Sequence, residues 1–381
     1  MSTANLLDQA FELPKIPRNG ALVMLSGGGD SVALLDIAVT KMGNSRVQAL
    51  HVNYGLRADA QLEQLHCEQL CGKLGVELHV HRAQLPQSGN LQANARDERY
   101  RVANELLAAS PGLDVIAVAH TADDQAETVL YRLASSPGRR ALRGMAVRSG
   151  DLWRPLLGVR RQQLRDHLMS RKLEWREDSS NVDPRFARAR VRRMLRDFED
   201  LHPAAVANIS ATAAQMRLED DALAAVVRQQ LDALRADDGS VAVAELAILH
   251  PALAALVLRA LAEEAAGELV PLARERLTEV LATTAKGGTR QIDLGLGVTG
   301  ELAYGRLRVY GRGERITFGS APQSMHSLAL SLPGRISYLG WTLETSAAGD
   351  EPSVSGLAPT QDAALHPAAS FAIELSVTPA A

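Results

Sequence analysis

Ser26, Gly27, Gly28, Gly29, Asp30 and Ser31 follow an apolar run directly and open a helical one, VALLDIAVTKM (32–42). Consecutive glycines let the backbone come close to a ligand, so their N–H groups can form an anion nest at a helix N-terminus. Phosphate binding is the chemistry that fits. The loop is not a Walker A loop, because the Gly-Lys-Ser/Thr ending is missing. Asp30 stands there instead, an acid suited to the Mg²⁺ that accompanies a leaving pyrophosphate. The plain alternative is a strand-to-helix turn with Asp30 as its N-cap.

A second constellation, His120, Thr121, Asp123, Asp124, Glu127 and Thr128, begins where an apolar run ends and continues into a helical pattern. That places an imidazole and several carboxylates at a strand's carboxyl end. Asp124 and Glu127 are three apart and share a helical face. Capping by the aspartates and a surface position for Glu127 are the bland alternatives. Between 132 and 196 the chain carries 18 Lys/Arg against 6 Asp/Glu, although its overall net charge is −3. Nearly all of these cations are arginine, the side chain suited to bidentate phosphate contact, so a polyanion site is favoured over a solvated, ion-paired surface. On a helix, Arg185, Arg188 and Arg192 share one face and Arg190 points elsewhere.

The elements that must position these groups are legible as alternating patterns. ALVMLS (21–26), VQALHVN (47–53), VELHVHR (76–82) and DVIAVAH (114–120) read as strands with amphipathic helices between them. Such alternation predicts an α/β fold with a doubly wound parallel sheet, whose ligands sit outside the carboxyl ends of the strands. From about Pro203 the texture becomes alanine-rich and helical to about 285, followed by a small β unit over 286–310. A domain boundary near 200 is expected. The predicted organisation is a catalytic domain over 1–200, a mainly helical domain over 201–312, and a short β-containing tail over 313–381. Residues 346–370 read as a loose connection rich in Pro, Gly, Ser and Ala.

Composition narrows the function classes. Hydrophobic residues at 46% and charged residues at 22% are ordinary for a globular chain. Aromatic residues at 4% argue against single-strand binding through stacking platforms. Cys67 and Cys71, four apart, suit neither a zinc ribbon nor a disulfide framework, which points to a reduced, cytoplasmic setting. No stretch has the length of an apolar membrane span, and the N-terminus lacks a signal-peptide pattern.

The segments SGGGDS (26–31), HVNYGLR (51–57), NLQANARDERYR (90–101), AHTADDQAETVLYRLASSPGRRALRGM (119–145), RPLLGV (154–159) and WREDSSNVDPRFARARVRRML (175–195) occur in a telling order and spacing. Together they resemble the tRNA(Ile)-lysidine synthetases of the N-type ATP pyrophosphatase (PP-loop) superfamily, over roughly residues 20–200. The resemblance implies an adenine nucleotide alpha hydrolase-like fold and a ligase that uses ATP and Mg²⁺. Such an enzyme adenylates the C2 carbonyl oxygen of the wobble cytidine in isoleucine tRNA with a CAU anticodon, and free L-lysine then displaces AMP. A homodimer is compatible with it. Carried over by position, Ser26 to Ser31 hold the ATP phosphates, Asp30 is the metal acid, and His120, Asp124 and Arg190 belong to the catalytic site. Arg185, Arg188, Arg192 and Arg193 are expected along the tRNA backbone.

Three departures stand out. Thr121 follows His120 where the family often has a second histidine, and Ala189 replaces an asparagine common between the two arginines. LPGRISYLGWTLETS (332–346) resembles only the approach to the basic C-terminal module of longer members, so the tail is expected to be either a short form or an incomplete version of it. Two other readings are a tRNA 2-thiolation enzyme, disfavoured because Cys67 and Cys71 lack Cys-X-X-Cys spacing, and a non-catalytic tRNA- or nucleotide-binding relative, disfavoured by the intact Asp30, His120 and Asp124. An amidotransferase would need a glutaminase motif, and none is present.

Overall fold

A computed structural model of the chain describes residues 16–55, 59–84, 91–136, 138–176, 187–271, 274–283, 289–312, 334–338, 341–348 and 351–359. The four strand patterns become β1 (Ala21–Met24), β2 (Val47–Asn53), β3 (Glu77–Arg82) and β4 (Val115–Ala117). Between them lie helices α1 (Gly29–Met42), α2 (Ala60–Leu74) and α3 (Leu91–Ala109). After β4 come α4 (Ala122–Ser135), a short α5 (Arg139–Leu142), β5 (Arg148–Ser149), β6 (Leu152–Trp153), α6 (Arg161–Ser170), α7 (Ala187–Leu201) and α8 (Ala205–Leu234). The sheet order is β3-β2-β1-β4-β6-β5, parallel throughout except where β5 runs antiparallel to β6. The order reverses between β1 and β4, so the crevice at their carboxyl ends is the topological switch point. β4 is shorter than its sequence pattern and stops at Ala117, before His120.

β1 is buried at every position, as a central parallel strand covered on both faces must be. One face packs on α1, α2 and α6 through Val32, Leu35, Cys67, Leu164 and Leu168. The other packs Leu22, Leu50 and Ile116 against Val102 and Ala103 of α3.

By contact density the chain divides into Met1–Ala224 and Ala225–Ala381, a division that falls within α8 rather than near residue 200. In the second unit α9 (Val243–Ile248), α10 (Pro251–Ala266) and α11 (Arg274–Thr283) pack with an antiparallel sheet. That sheet is ordered β7-β10-β9-β8, from β7 (Val241–Ala242), β8 (Arg290–Gly295), β9 (Val298–Ala303) and β10 (Arg306–Tyr310). A third sheet joins β11 (Gly334–Tyr338), β12 (Trp341–Ala348) and β13 (Glu351–Pro359) in antiparallel order. β13 corrects the reading of 346–370 as a loose connection. Its prolines and glycine look like breakers, but β13 is an edge strand, where proline need not donate to a ladder.

A polar contact between α1 and α6 is buried within the first unit's core. Asp36 of α1 and His167 of α6 are each about 1% exposed at the side chain, and His167 Nε2 donates to Asp36 Oδ2 at 2.8 Å. Burial pushes the Asp36 carboxyl up, and the hydrogen bonds from His167 and Arg171 more than offset this, so it lies below the ordinary aspartate range. A depressed folded pKa contributes stability that is complete above the unfolded value, about 4, and is lost as pH falls through the lower folded value. Asp36→Asn should therefore lower the unfolding free energy by about 3 kcal/mol at pH 7. The gap from the parent should stay level down to about pH 5 and narrow below about pH 4 in denaturant unfolding series; a gap unchanged at acid pH would contradict it.

Candidate active site

The phosphate loop is built as its glycines require. Gly27 has φ +81°, a left-handed conformation that favours glycine. A Cβ on Gly29 would stand 3.2 Å from Trp175, so glycine also permits the close approach of that ring. Arg176 N donates to Gly27 O at 3.0 Å, pinning the loop from the side. Inside the loop Ser31 Oγ donates to Gly28 O at 2.8 Å and accepts from Ser26 N at 3.2 Å. Gly28 is the N-cap of α1 and has no side-chain cap, which places Asp30 in the first turn rather than at the cap. The capping alternative for Asp30 is thereby set aside. The helix start faces a cavity of about 560 Å³ lined by Ser26, Gly28, Gly29, Asp30 and Ser31.

The second constellation faces the same cavity. His120 and Asp124 line it together with Val118 and Ala119. Thr121, the departure from a second histidine, is fully buried and caps α4 in a reciprocal box with Asp124. Thr121 N donates to Asp124 Oδ2 at 2.9 Å and its hydroxyl donates to the same atom at 2.8 Å. Asp124 is thus a capping residue through one oxygen while the other, Oδ1, remains directed at arginine. Glu127 is buried at 4% exposure, not on the surface.

The group that joins the two constellations is Arg161, at the start of α6. Its Nε lies 3.1 Å from Asp30 Oδ2, its Nη2 2.9 Å from Asp124 Oδ1, and its Nη1 3.8 Å from Glu127 Oε1. Desolvation lowers its pKa, but Asp124 and Asp30 raise it further, so the guanidinium stays charged. Asp30 is raised by burial and by the charge of Asp124, against the pull of Arg161. Asp124 is disfavoured by burial too, yet Arg161 and the Thr121 hydrogen bonds hold it below the ordinary range. Glu127 is raised by burial, against Arg192.

Arg192 Nε sits 2.6 Å from Glu127 Oε1, and Arg192 lines the cavity. Arg190 is exposed and does not line it. Of the two, Arg192, expected along the tRNA backbone, is the one that the structure places on the cavity, and Arg190, expected at the catalytic site, is not among its lining residues. The cause is the rotation of α7, whose Val191 and Leu195 are buried, Leu195 among Ala122, Ala126 and Val206. Arg193 is exposed, Arg188 lies on α7, and Arg185 falls outside the described residues. Sequence reasoning missed Arg161, for which no local signal exists. It also missed Arg99, Tyr100, Arg165, Trp175 and Arg176, which line the cavity. Tyr100 lies within the resembling segment 90–101, and Arg99 stacks over its ring with 5.5 Å to the centroid.

A metal is testable against this donor set. Asp30 and Asp124 present oxygens close enough together for one guanidinium to bridge, although no cluster of three metal-ligating side chains occurs among the described residues. That fits a hard cation held by one or two carboxylates and completed by substrate phosphates.

Residues 3–198 match the family model described as PP-loop domain. The tRNA(Ile)-lysidine synthase of Pseudomonas aeruginosa is 39% identical over 57% of this chain and 50% of its own length. That of Solibacter usitatus is 33% identical over 75% of this chain and 67% of its own length. The chain thus spans about half the length of the first of these relatives. Among solved structures, a U34-tRNA thiolase from Methanococcus maripaludis is similar with a TM-score of 0.48 at 17% identity, over 56% of this chain and 77% of that one.

Because Asp30 is held above its ordinary pKa mainly by burial, removing it should cost the fold little. Asp30→Ala is expected to change unfolding free energy by no more than about 1 kcal/mol, the scale of a first-turn acid on a helix dipole. ATP-dependent pyrophosphate release should fall by about 100-fold or more, through lost charge compensation at the phosphates. Full turnover by a folded Asp30→Ala variant would remove Asp30 from the site.

Proposed function

This chain belongs to the PP-loop family and, within it, to the tRNA(Ile)-lysidine synthases, and on that premise we propose that it ligates L-lysine to C2 of the wobble cytidine of isoleucine tRNA bearing a CAU anticodon. The observation that carries the proposal is the convergence of the glycine loop, Asp30, His120 and Asp124 on one cavity at the switch point. In the reaction, cytidine O2 attacks the α-phosphorus of ATP and pyrophosphate leaves. The lysine ε-amine then attacks C2, giving up a proton, and AMP leaves.

The chain's own groups suit these steps. The first turn of α1 and the glycine nest offer N–H donors to the phosphates. Arg161, Arg165 and Arg176 line the same cavity and add positive charge beside them. Asp30 and Asp124 would hold Mg²⁺, which offsets the charge that develops on the departing pyrophosphate. Leu50, Val52 and Val118 offer apolar surface for a nucleobase in a lining that also holds Tyr54 and Tyr100. His120 contributes a hydrogen-bonding imidazole to the adenylation step. Arg193 and Arg196, exposed on α7, together with Arg188 and Arg190 of that helix, suit phosphates of the tRNA backbone. Arg185 is assigned to the same path by its position in the motif.

Thiolation fits less well. Cys67 and Cys71 are buried, and burial pushes their thiols up to about 12 and about 11, so neither is a ready thiolate. No described helix is long and apolar enough to cross a membrane. A cytoplasmic tRNA-modifying role is consistent with this.

Incubation with ATP, Mg²⁺, lysine and unmodified CAU-anticodon isoleucine tRNA, followed by mass analysis of the nucleosides, should reveal lysidine; cytidine left unchanged while ATP is bound would sink the reading. His120→Ala should slow pyrophosphate release by about 100-fold while tRNA affinity stays within about twofold. In a salt series, Arg193→Ala should flatten the logarithmic salt dependence of tRNA affinity by about 0.7 to 0.9. A slope equal to the parent's would place the RNA elsewhere.

A further inference from the structure

The contact between α1 and α6 has two polar rungs with the same spacing. Asp30 meets Arg161 at one and Asp36 meets His167 at the other, and the sequence separation is 131 in both. Six residues along each helix join the rungs, about 9 Å of rise, so the two helices run parallel and in register. Arg171, four residues beyond His167, closes the inner rung with Nε 3.3 Å from Asp36 Oδ2 and Nη2 3.2 Å from Asp36 Oδ1. The rest of this packing is apolar, including Leu164 and Leu168. Apolar contacts are non-directional and tolerate small axial slips. A buried carboxylate that takes hydrogen bonds from an imidazole and a guanidinium does not, because any slip leaves charge unpaired away from water.

We propose that Asp36, His167 and Arg171 form a positioning clasp that sets the axial register of α6 on α1 and thereby holds the Arg161 guanidinium between Asp30 and Asp124. None of the three lines the cavity, so the clasp acts only through Arg161. One residue of slip moves Arg161 about 1.5 Å along the axis. That is enough to break contacts of 2.9 and 3.1 Å to the two carboxylates. His167 Nδ1 is buried and makes no hydrogen bond among the described residues, so the ring's single polar contact is the one that fixes register.

The activity readout rests on the proposed ATP-dependent reaction, and a second readout does not. His167→Leu should lower kcat for pyrophosphate release about tenfold while KM for ATP moves less than about twofold. His167→Gln, whose amide nitrogen can replace Nε2 as donor, should recover to within about threefold of the parent. Arg161→Ala should cost about tenfold less in the His167→Leu background than alone, because the two changes act on one contact. Equal losses for Leu and Gln, losses that multiply independently, or a loss confined to KM would overturn the clasp.

Should His167→Leu fail to fold, Arg171→Gln replaces it in the cycle, since the Arg171 side chain is 48% exposed. Should the parent release no pyrophosphate, the functional reading fails by itself. The clasp is then decided by denaturant unfolding of the Arg161→Ala, Arg171→Gln and double variants. A coupling of about fivefold or more in the unfolding constant supports it, and additivity overturns it.

Discussion

Arg161 is the cation around which the acidic end of the cavity is arranged. Asp30, Asp124 and Glu127 come from two different helix starts and would repel one another across a partly buried space. One planar guanidinium reaches all three, which a point-charged lysine could not do with comparable geometry. The carboxylates then respond unequally. Asp124 gains two hydrogen bonds from Thr121 besides its contact with Arg161 and is held below the ordinary range, whereas Asp30 is pushed up by burial and by Asp124 against the pull of Arg161.

The topology brings those helix starts together. Because the sheet order reverses between β1 and β4, the helices that follow these strands leave in opposite directions and open the crevice between their starts. α1 brings Asp30 from one side and α4 brings Asp124 and Glu127 from the other. α6 supplies the bridging arginine although β6, the strand that precedes it, has only two residues.

The strand, glycine cluster and helix at 21–42 were legible because each signal is local, and the His120–Glu127 segment was legible for the same reason. Arg161 was not, since an arginine opening a helix has no distinctive pattern and its partner Asp30 is 131 residues away. The choice between Arg190 and Arg192 was likewise hidden. Helical spacing divides the arginines among faces but cannot say which face turns inward until Val191 and Leu195 are seen buried. β5 and β6 escaped notice because two-residue strands carry no periodicity. β13 escaped because its prolines mimic a loop. Asp36 carries no signal in the sequence, and only the packing of α6 gives it a partner.

The positive excess between 132 and 196 divides in the folded chain into two populations. Arg139 and Arg143 pair with Asp220, Arg160 with Asp123 and Glu199, Arg171 with Asp36, and Arg192 with Glu127. Each of these carboxylates lies outside the 132–196 stretch, so a local count of charges overstates the field that the segment presents. For those arginines the structural explanation suffices. The exposed Arg193 and Arg196 of α7 are different, because the apolar stripe of Val191 and Leu195 turns them away from the core. Electrostatic attraction for a polyanion depends on such exposed charge, and buried pairs contribute mainly to geometry. The same arginine-rich helix therefore contributes Arg192 to the cavity wall and carries Arg193 and Arg196 as exposed charge beside it.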